Sequence, residues 1–180
     1  MQKGVDNEIS YVDDDPFLKA EAIERYMKSH ERIIFVDFGI SLDEKSIAQC
    51  FEKHEGVGCL VFPGVKEGID WELFKHKVQS GSTEPTEQMG LHFDTEIGAK
   101  ISDDIYKVKT TTSKAWCMNT KNVIKSIKDK KSGKWTINPK MFAKFTEQGV
   151  RIYAFTAAKL VMTYTHECIS NILNAAGVRV

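Results

Sequence analysis

Four cysteines in 180 residues, none in a Cys-x-x-Cys pair, exclude a disulfide framework and the close Cys and His clustering of a structural zinc site. Cys50, Cys59, Cys117 and Cys168 read instead as reduced thiols, with Cys59 and Cys117 inside apolar runs and Cys50 in a helical pattern. No apolar run approaches the roughly 18 residues of a membrane span, and no charged-then-apolar leader follows Met1. A cytoplasmic protein is expected on that basis, in the host cytoplasm if the source is viral. Net charge is absent too: 25 Lys and Arg balance 25 Asp and Glu. That balance argues against a nucleic-acid partner. The basic turn at 129–134 lacks the aromatic row that stacks bases. Missing as well are the P-loop, the Gly-x-Gly-x-x-Gly fingerprint and the Gly-x-Ser-x-Gly elbow, which weakens NTPase, dinucleotide and serine-hydrolase readings. No internal repeat or low-complexity tract breaks the chain.

What the sequence does contain is the patterning of one α/β domain spanning residues 1–180, with 42% apolar and 28% charged residues. Asp15 and Pro16 start a helix that runs to about Ser29, with a short edge strand expected before it at residues 9–12. The apolar run Ile33-Ile34-Phe35-Val36 reads as a central strand buried on both faces, continuing to Leu42. Asp43 or Ser41 caps a second helix ending near Gly56, and residues 58–64 form the next strand. Strand, helix and strand at this spacing predict a parallel pair with a right-handed crossover. Residues 65–99 read as a long Gly-, Ser- and Thr-rich connection carrying a short helix at 72–78 and a mobile rim at 80–85. Strands at 105–108, 114–118 and 150–155 follow, with helices at 119–127, 138–149 and 165–176. The expected architecture is a mixed, mostly parallel sheet of five or six strands flanked by helices, in the manner of Rossmann-like folds.

Candidate chemistry gathers in the first two-thirds of the chain. Asp37, at the end of the apolar strand, can ligate a divalent cation through hard oxygen contacts or simply cap the following turn. Asp94, between Phe93 and Thr95, suits a second ligand or a general base, and equally an Asx turn. Glu67, Asp70 and Trp71 form an acid and aromatic group of the kind that meets a sugar, although a Trp anchoring a loop is commoner. His92 and His166 are further candidates for acid, base or ligand, each against the alternative of a structural histidine.

The order of these parts resembles the GT-A class of nucleotide-sugar glycosyltransferases, in particular compact viral or phage members. The likeness covers residues 10–120: an acid-rich start and helix at 13–29, a strand ending in Asp37-Phe38-Gly39, the strand Val61-Phe62-Pro63, and Ile69-Asp70-Trp71. Asp37-Phe38-Gly39 falls where that class carries its DxD motif, with Gly39 at the position of the second acid. The resemblance implies a nucleotide sugar or other phosphorylated small molecule as ligand, with Mn²⁺ or Mg²⁺ at Asp37. It also implies catalytic roles for Asp94 and Asp70, and substrate contacts from Trp71, Glu67 and His92. The alternative is a non-catalytic viral or phage binding or assembly protein on an α/β scaffold.

Overall fold

Asp15 accepts backbone N–H bonds from Phe17 (2.8 Å) and Leu18 (2.9 Å), and Pro16 takes the first position of helix α1 (Pro16–Met27). The computed structural model describes residues 6–66 and 68–162. Strand β1 (Arg32–Val36) leads through a tight turn into β2 (Ile40–Leu42). Asp43 caps α2 (Glu44–Phe51) through the Ser46 amide at 3.1 Å. Then come β3 (Cys59–Val61), α3 (Trp71–Gln79), a single 3₁₀ turn (Thr86–Gln88), β4 (Thr95–Ser102) and β5 (Ile105–Thr111). The remaining elements are β6 (Ala115–Asn119), α4 (Thr120–Ile127), α5 (Met141–Glu147), β7 (Ile152–Phe155) and β8 (Leu160–Met162).

Six strands form one sheet in the order β1-β6-β3-β7-β5-β4, and β2 pairs with β8 in a separate ribbon. The expected number of strands is met, but the sheet is mostly antiparallel rather than mostly parallel: β3 with β7 is its one parallel pair. The reason lies in the connections. Asp103 and Asp104 alone join β4 to β5, with Asp104 at φ 60°, and a two-residue loop can only return a strand antiparallel. β1 and β3 do run in the same direction, yet β6 lies between them and opposes both. The predicted strand–helix–strand pair is therefore split. The Rossmann-like arrangement, with ligands at the ends of parallel strands, is not the one formed here.

β1 is also not the central strand that its apolar run predicts. It sits at the edge of the sheet, and Ile34 and Val36 keep 41% and 42% of their surface. The interior belongs to β6, β3 and β7, and Cys59, Leu60, Val61 and residues 115–118 of the first two are buried. One face of the sheet packs Val61, Trp116, Met118 and Ile152 against Ile23 and Met27 of α1, Val123 and Ile127 of α4, and Met141 and Phe145 of α5. The other face packs Leu60, Phe62, Cys117 and Phe155 against Cys50 of α2 and against Ile40, Leu42 and Leu160 of the ribbon. At about 25 cal/mol per Å² of apolar area removed from water, these two layers supply the main stabilisation.

Other expectations shift with the structure. Residues 9–12 form no strand, and Tyr11 is almost fully exposed. α2 stops at Phe51, short of Gly56. β4 occupies what reads as loop; its alternation and the Asp103-Asp104 turn are its signal in the sequence. The helix expected at 165–176, together with His166 and Cys168, lies outside the described residues. Among the described residues no helix is long and apolar enough to cross a membrane.

Candidate functional site

The edge strand brings Asp37 beside the start of β6, where its N–H donates to the Lys114 carbonyl at 2.9 Å. Asp37 opens the turn into β2: its own carbonyl accepts from Ile40 N–H at 3.3 Å, and Gly39 sits at φ 74°. A side chain is strained in that left-handed region, so glycine at this position serves the backbone. Gly39, at the position of the second acid of a DxD motif, thus serves the turn.

Between this turn, α1, the β5–β6 connection and the start of α5 lies a pocket of about 480 Å³. Its apolar side is aromatic. Phe35 stacks on Trp116 with ring centroids 5.0 Å apart and planes 9° apart, and Phe142 meets Trp116 edge-on at 5.9 Å. Its polar side carries Lys19, Lys114 and Lys140, with Thr111, Thr112 and Asn138, and Asp37 is the one acid among the described lining residues. Lys19 reaches in from α1. Its ammonium is 3.0 Å from the Asp37 carboxylate, 2.5 Å from that of Asp14 and 5.8 Å from the centre of the Phe35 ring. Burial pulls the Lys19 pKa down, but the bonds to Asp14 and Asp37 outweigh it and the pKa ends above the ordinary lysine value. Lys19 is thus firmly charged.

The donor set at Asp37 does not fit Mn²⁺ or Mg²⁺. Such an ion takes about six oxygen ligands, whereas here a single carboxylate already faces an ammonium. Among the described residues no group of three or more His, Cys, Asp or Glu is arranged to hold a metal.

Asp94 stands behind the pocket rim and not in its lining. Its Oδ1 accepts from Gly64 N–H (3.1 Å) and from the Thr95 hydroxyl (2.7 Å), and its carbonyl accepts from Thr112 N–H (2.9 Å). Thr95 in turn bonds the Thr111 hydroxyl at 2.7 Å. Burial holds the Asp94 carboxyl above the usual carboxylate range, against the pull of these bonds. Ser113, buried, fixes the next residue of the rim: its hydroxyl lies 2.9 Å from the Phe62 carbonyl and 2.8 Å from that of Ala115. Asp94 is therefore a positioning residue for Thr111 and Thr112.

Asp70, Trp71 and His92 do come together, in a second place. Asp70 caps α3 through Leu73 N–H at 2.8 Å, and its other oxygen is 2.9 Å from His92 Nε2. The Leu73 amide first, and His92 second, hold the Asp70 carboxyl below the usual range. Trp71 is 61% exposed and meets Phe74 edge-on at 6.0 Å. None of the three lines the 480 Å³ pocket, and Glu67 lies outside the described residues. The loop at 80–85 is tied back by Ser82 N–H to the Lys77 carbonyl (3.0 Å) and by the Lys77–Glu84 ion pair (2.6 Å). No family model, curated protein or solved structure matches the chain.

Sequence reading passed over Lys19, Lys114, Lys140, Thr111 and Thr112. Only the run Thr110-Thr111-Thr112-Ser113 carried a signal, as a hydroxyl-rich hinge between two strands. The lysines look like any solvated lysine until α1, β6 and α5 converge.

Proposed function

We propose that the chain is a binding domain for a phosphorylated small molecule with a planar ring, of the nucleotide class. One observation carries this reading: Lys19, Lys114 and Lys140 converge on a 480 Å³ pocket whose floor is Phe35, Trp116 and Phe142. The volume lies within the range of small-molecule sites, which are largely apolar with a few convergent polar groups. Phosphate oxygens would take the ammonium groups of the three lysines, and the ring would lie against the aromatic floor. Within this class, a nucleotide sugar is the ligand that the likeness to glycosyltransferases favours. Sugar transfer by a base-activated acceptor needs a free carboxylate at the reacting atom, whereas Asp37 is paired with Lys19 and Asp94 accepts from Gly64. Binding without catalysis is the better-supported reading.

The test is a thermal-shift and calorimetry panel of nucleoside mono- and diphosphates and nucleotide sugars, with and without divalent metal. A ligand at a hundred times its Kd stabilises the fold by about 2.7 kcal/mol. Stabilisation by nucleotides that needs no metal supports the proposal. No shift with any of them removes it.

A second reading is an assembly protein that uses the sheet as scaffold. It is favoured by the exposed aromatic residues Phe17 and Phe38, at 72% and 86%. Concentration-dependent self-association, lost in Phe38→Ser and unaffected by nucleotides, would select it.

A further inference from the structure

The two edges of the sheet are built differently. At one, β4 is broken by register shifts between Glu96 and Ile97, Ile97 and Lys100, and Lys100 and Ser102, and it carries the ion pairs Glu96–Lys109 and Lys100–Asp103. Irregularities and charges of this kind keep an edge from pairing with another chain. At the other, β1 pairs with β6 in an unbroken register, holds no proline or glycine, and has Arg32 as its one charge. The bonds that flank β1 show which way its backbone points. Asp37 N–H donates to the Lys114 carbonyl at 2.9 Å, and Thr120 N–H to the Glu31 carbonyl at 3.1 Å. Odd-numbered residues therefore bond β6, and the N–H and C=O groups of Ile34 and Val36 point away from the sheet. Among the described residues none bonds them. The side chains beside this edge are apolar. Ile34, Val36 and Phe38 are exposed, and so are Ile47 and Phe51, one turn apart on α2. Phe51 reaches the edge strand, with the Arg32 guanidinium 5.7 Å over its ring.

We propose that β1 pairs antiparallel with β1 of a second copy of this chain, joining two sheets across a two-fold axis. Bonds across such a pair run between edge-facing residues, so an even-numbered residue meets an even-numbered one. Two registers keep both Ile34 and Val36 opposite residues of the strand. One sets Ile34 against Ile34, and with it Glu31 against Asp37, acid against acid. The other sets Ile34 against Val36 and Arg32 against Phe38. The second is the register formed: apolar side chains meet, and a guanidinium faces a ring. The chain has no net charge, so two copies do not repel. A stable dimer covers about 800 Å² of each partner. The five-residue edge supplies part of this, and Phe38, Ile47 and Phe51 extend the apolar surface on the α2 side. The pairing rests on neither functional reading and holds with the nucleotide pocket empty or filled.

Sedimentation velocity on the full chain at about 100 µM should give the mass of two chains, which separate on dilution. Val36→Pro removes only an outward N–H, so the bonds to β6 remain while the second copy loses its partner. That variant should sediment as one chain. Ile34→Lys keeps every backbone group and places an ammonium on the edge. It too should be monomeric, and it decides the matter if the proline variant does not fold. The Val36 amide should exchange its hydrogen slowly in the concentrated parent and fast in Ile34→Lys. A parent of one-chain mass at this concentration overturns the proposal, and slow exchange at Val36 in that monomer would put another part of the chain on the edge. Self-association that survives both variants overturns it as well, and leaves assembly to a different surface.

Discussion

The ammonium of Lys19 lies 3.0 Å from Oδ1 of Asp37, and this pair decides what the acid in the pocket can do. An acid meant for a metal is left open to it; this one is neutralised by a lysine that a phosphate would also want. Replacing Asp37 by Asn should free Lys19 and tighten binding of pyrophosphate, while Lys19→Met should weaken it roughly tenfold. Lys19 keeps Asp14 as a partner in the first variant, so Asp37→Asn should change stability by less than about 1 kcal/mol. Titration calorimetry reads both affinities. Loss of binding in Asp37→Asn, with a requirement for Mn²⁺ in the parent, would restore the metal reading.

Asp94 gives a prediction with a defined sign. Burial raises its carboxyl above the ordinary value of 3.8, so the folded chain holds that proton more tightly than the unfolded one. Its contribution to stability therefore rises as pH falls through the window just above 3.8, and is unfavourable at neutral pH. Asparagine still offers an oxygen to Gly64 and Thr95. Asp94→Asn should match or exceed the parent at about pH 7, and the difference should vanish once the parent carboxyl is protonated. Asp94→Ala, by contrast, strands the Gly64 N–H and should cost about 1–3 kcal/mol. Urea midpoints across that range check both outcomes.

Local rules were the legible part of this fold. Asp15-Pro16 and Asp43 start their helices as capping chemistry requires, because a cap needs only residues two or three positions away. The place of β1 was not legible: Ile33-Ile34-Phe35-Val36 is as apolar as a central strand, and nothing local says that only β6 will lie beside it. Asp94 was singled out as a second ligand, a general base or an Asx turn, whereas the bond it makes to Gly64 spans thirty residues and has no local signal. The same holds for the pocket. Lys19 and Lys114 line one pocket only because α1 packs on β1 and β1 pairs with β6, and that pairing is a property of the whole sheet.

Asp70 and His92 allow a test of cap against dyad. The Leu73 amide lowers the Asp70 pKa more than His92 does. A depressed carboxylate stabilises the fold above 3.8 and loses that contribution as pH falls through its folded value. Asp70→Asn should therefore lower Tm at neutral pH, with a gap that closes in acid. His92→Gln should lower it by less. The reverse order in a calorimetric series would show that the histidine, and not the cap, holds Asp70.

Phe142 separates the two halves of the proposed ligand. It lines the pocket, meets Trp116 edge-on at 5.9 Å and also packs on Phe145 at 6.4 Å, so Phe142→Leu keeps much of the packing while removing the ring. The three lysines are untouched. If a planar base lies against this floor, Phe142→Leu should lose an interaction of about 0.5–1.5 kcal/mol, a two- to tenfold weaker Kd for a nucleoside diphosphate. The same variant should bind pyrophosphate as the parent does, because that probe has no ring. Lys114→Met should show the complementary pattern, weakening both probes alike. Fluorescence or calorimetric titration of the two variants with the two probes gives four affinities. Equal weakening of both probes by Phe142→Leu would mean that the ring only supports the walls, and would detach the aromatic floor from recognition.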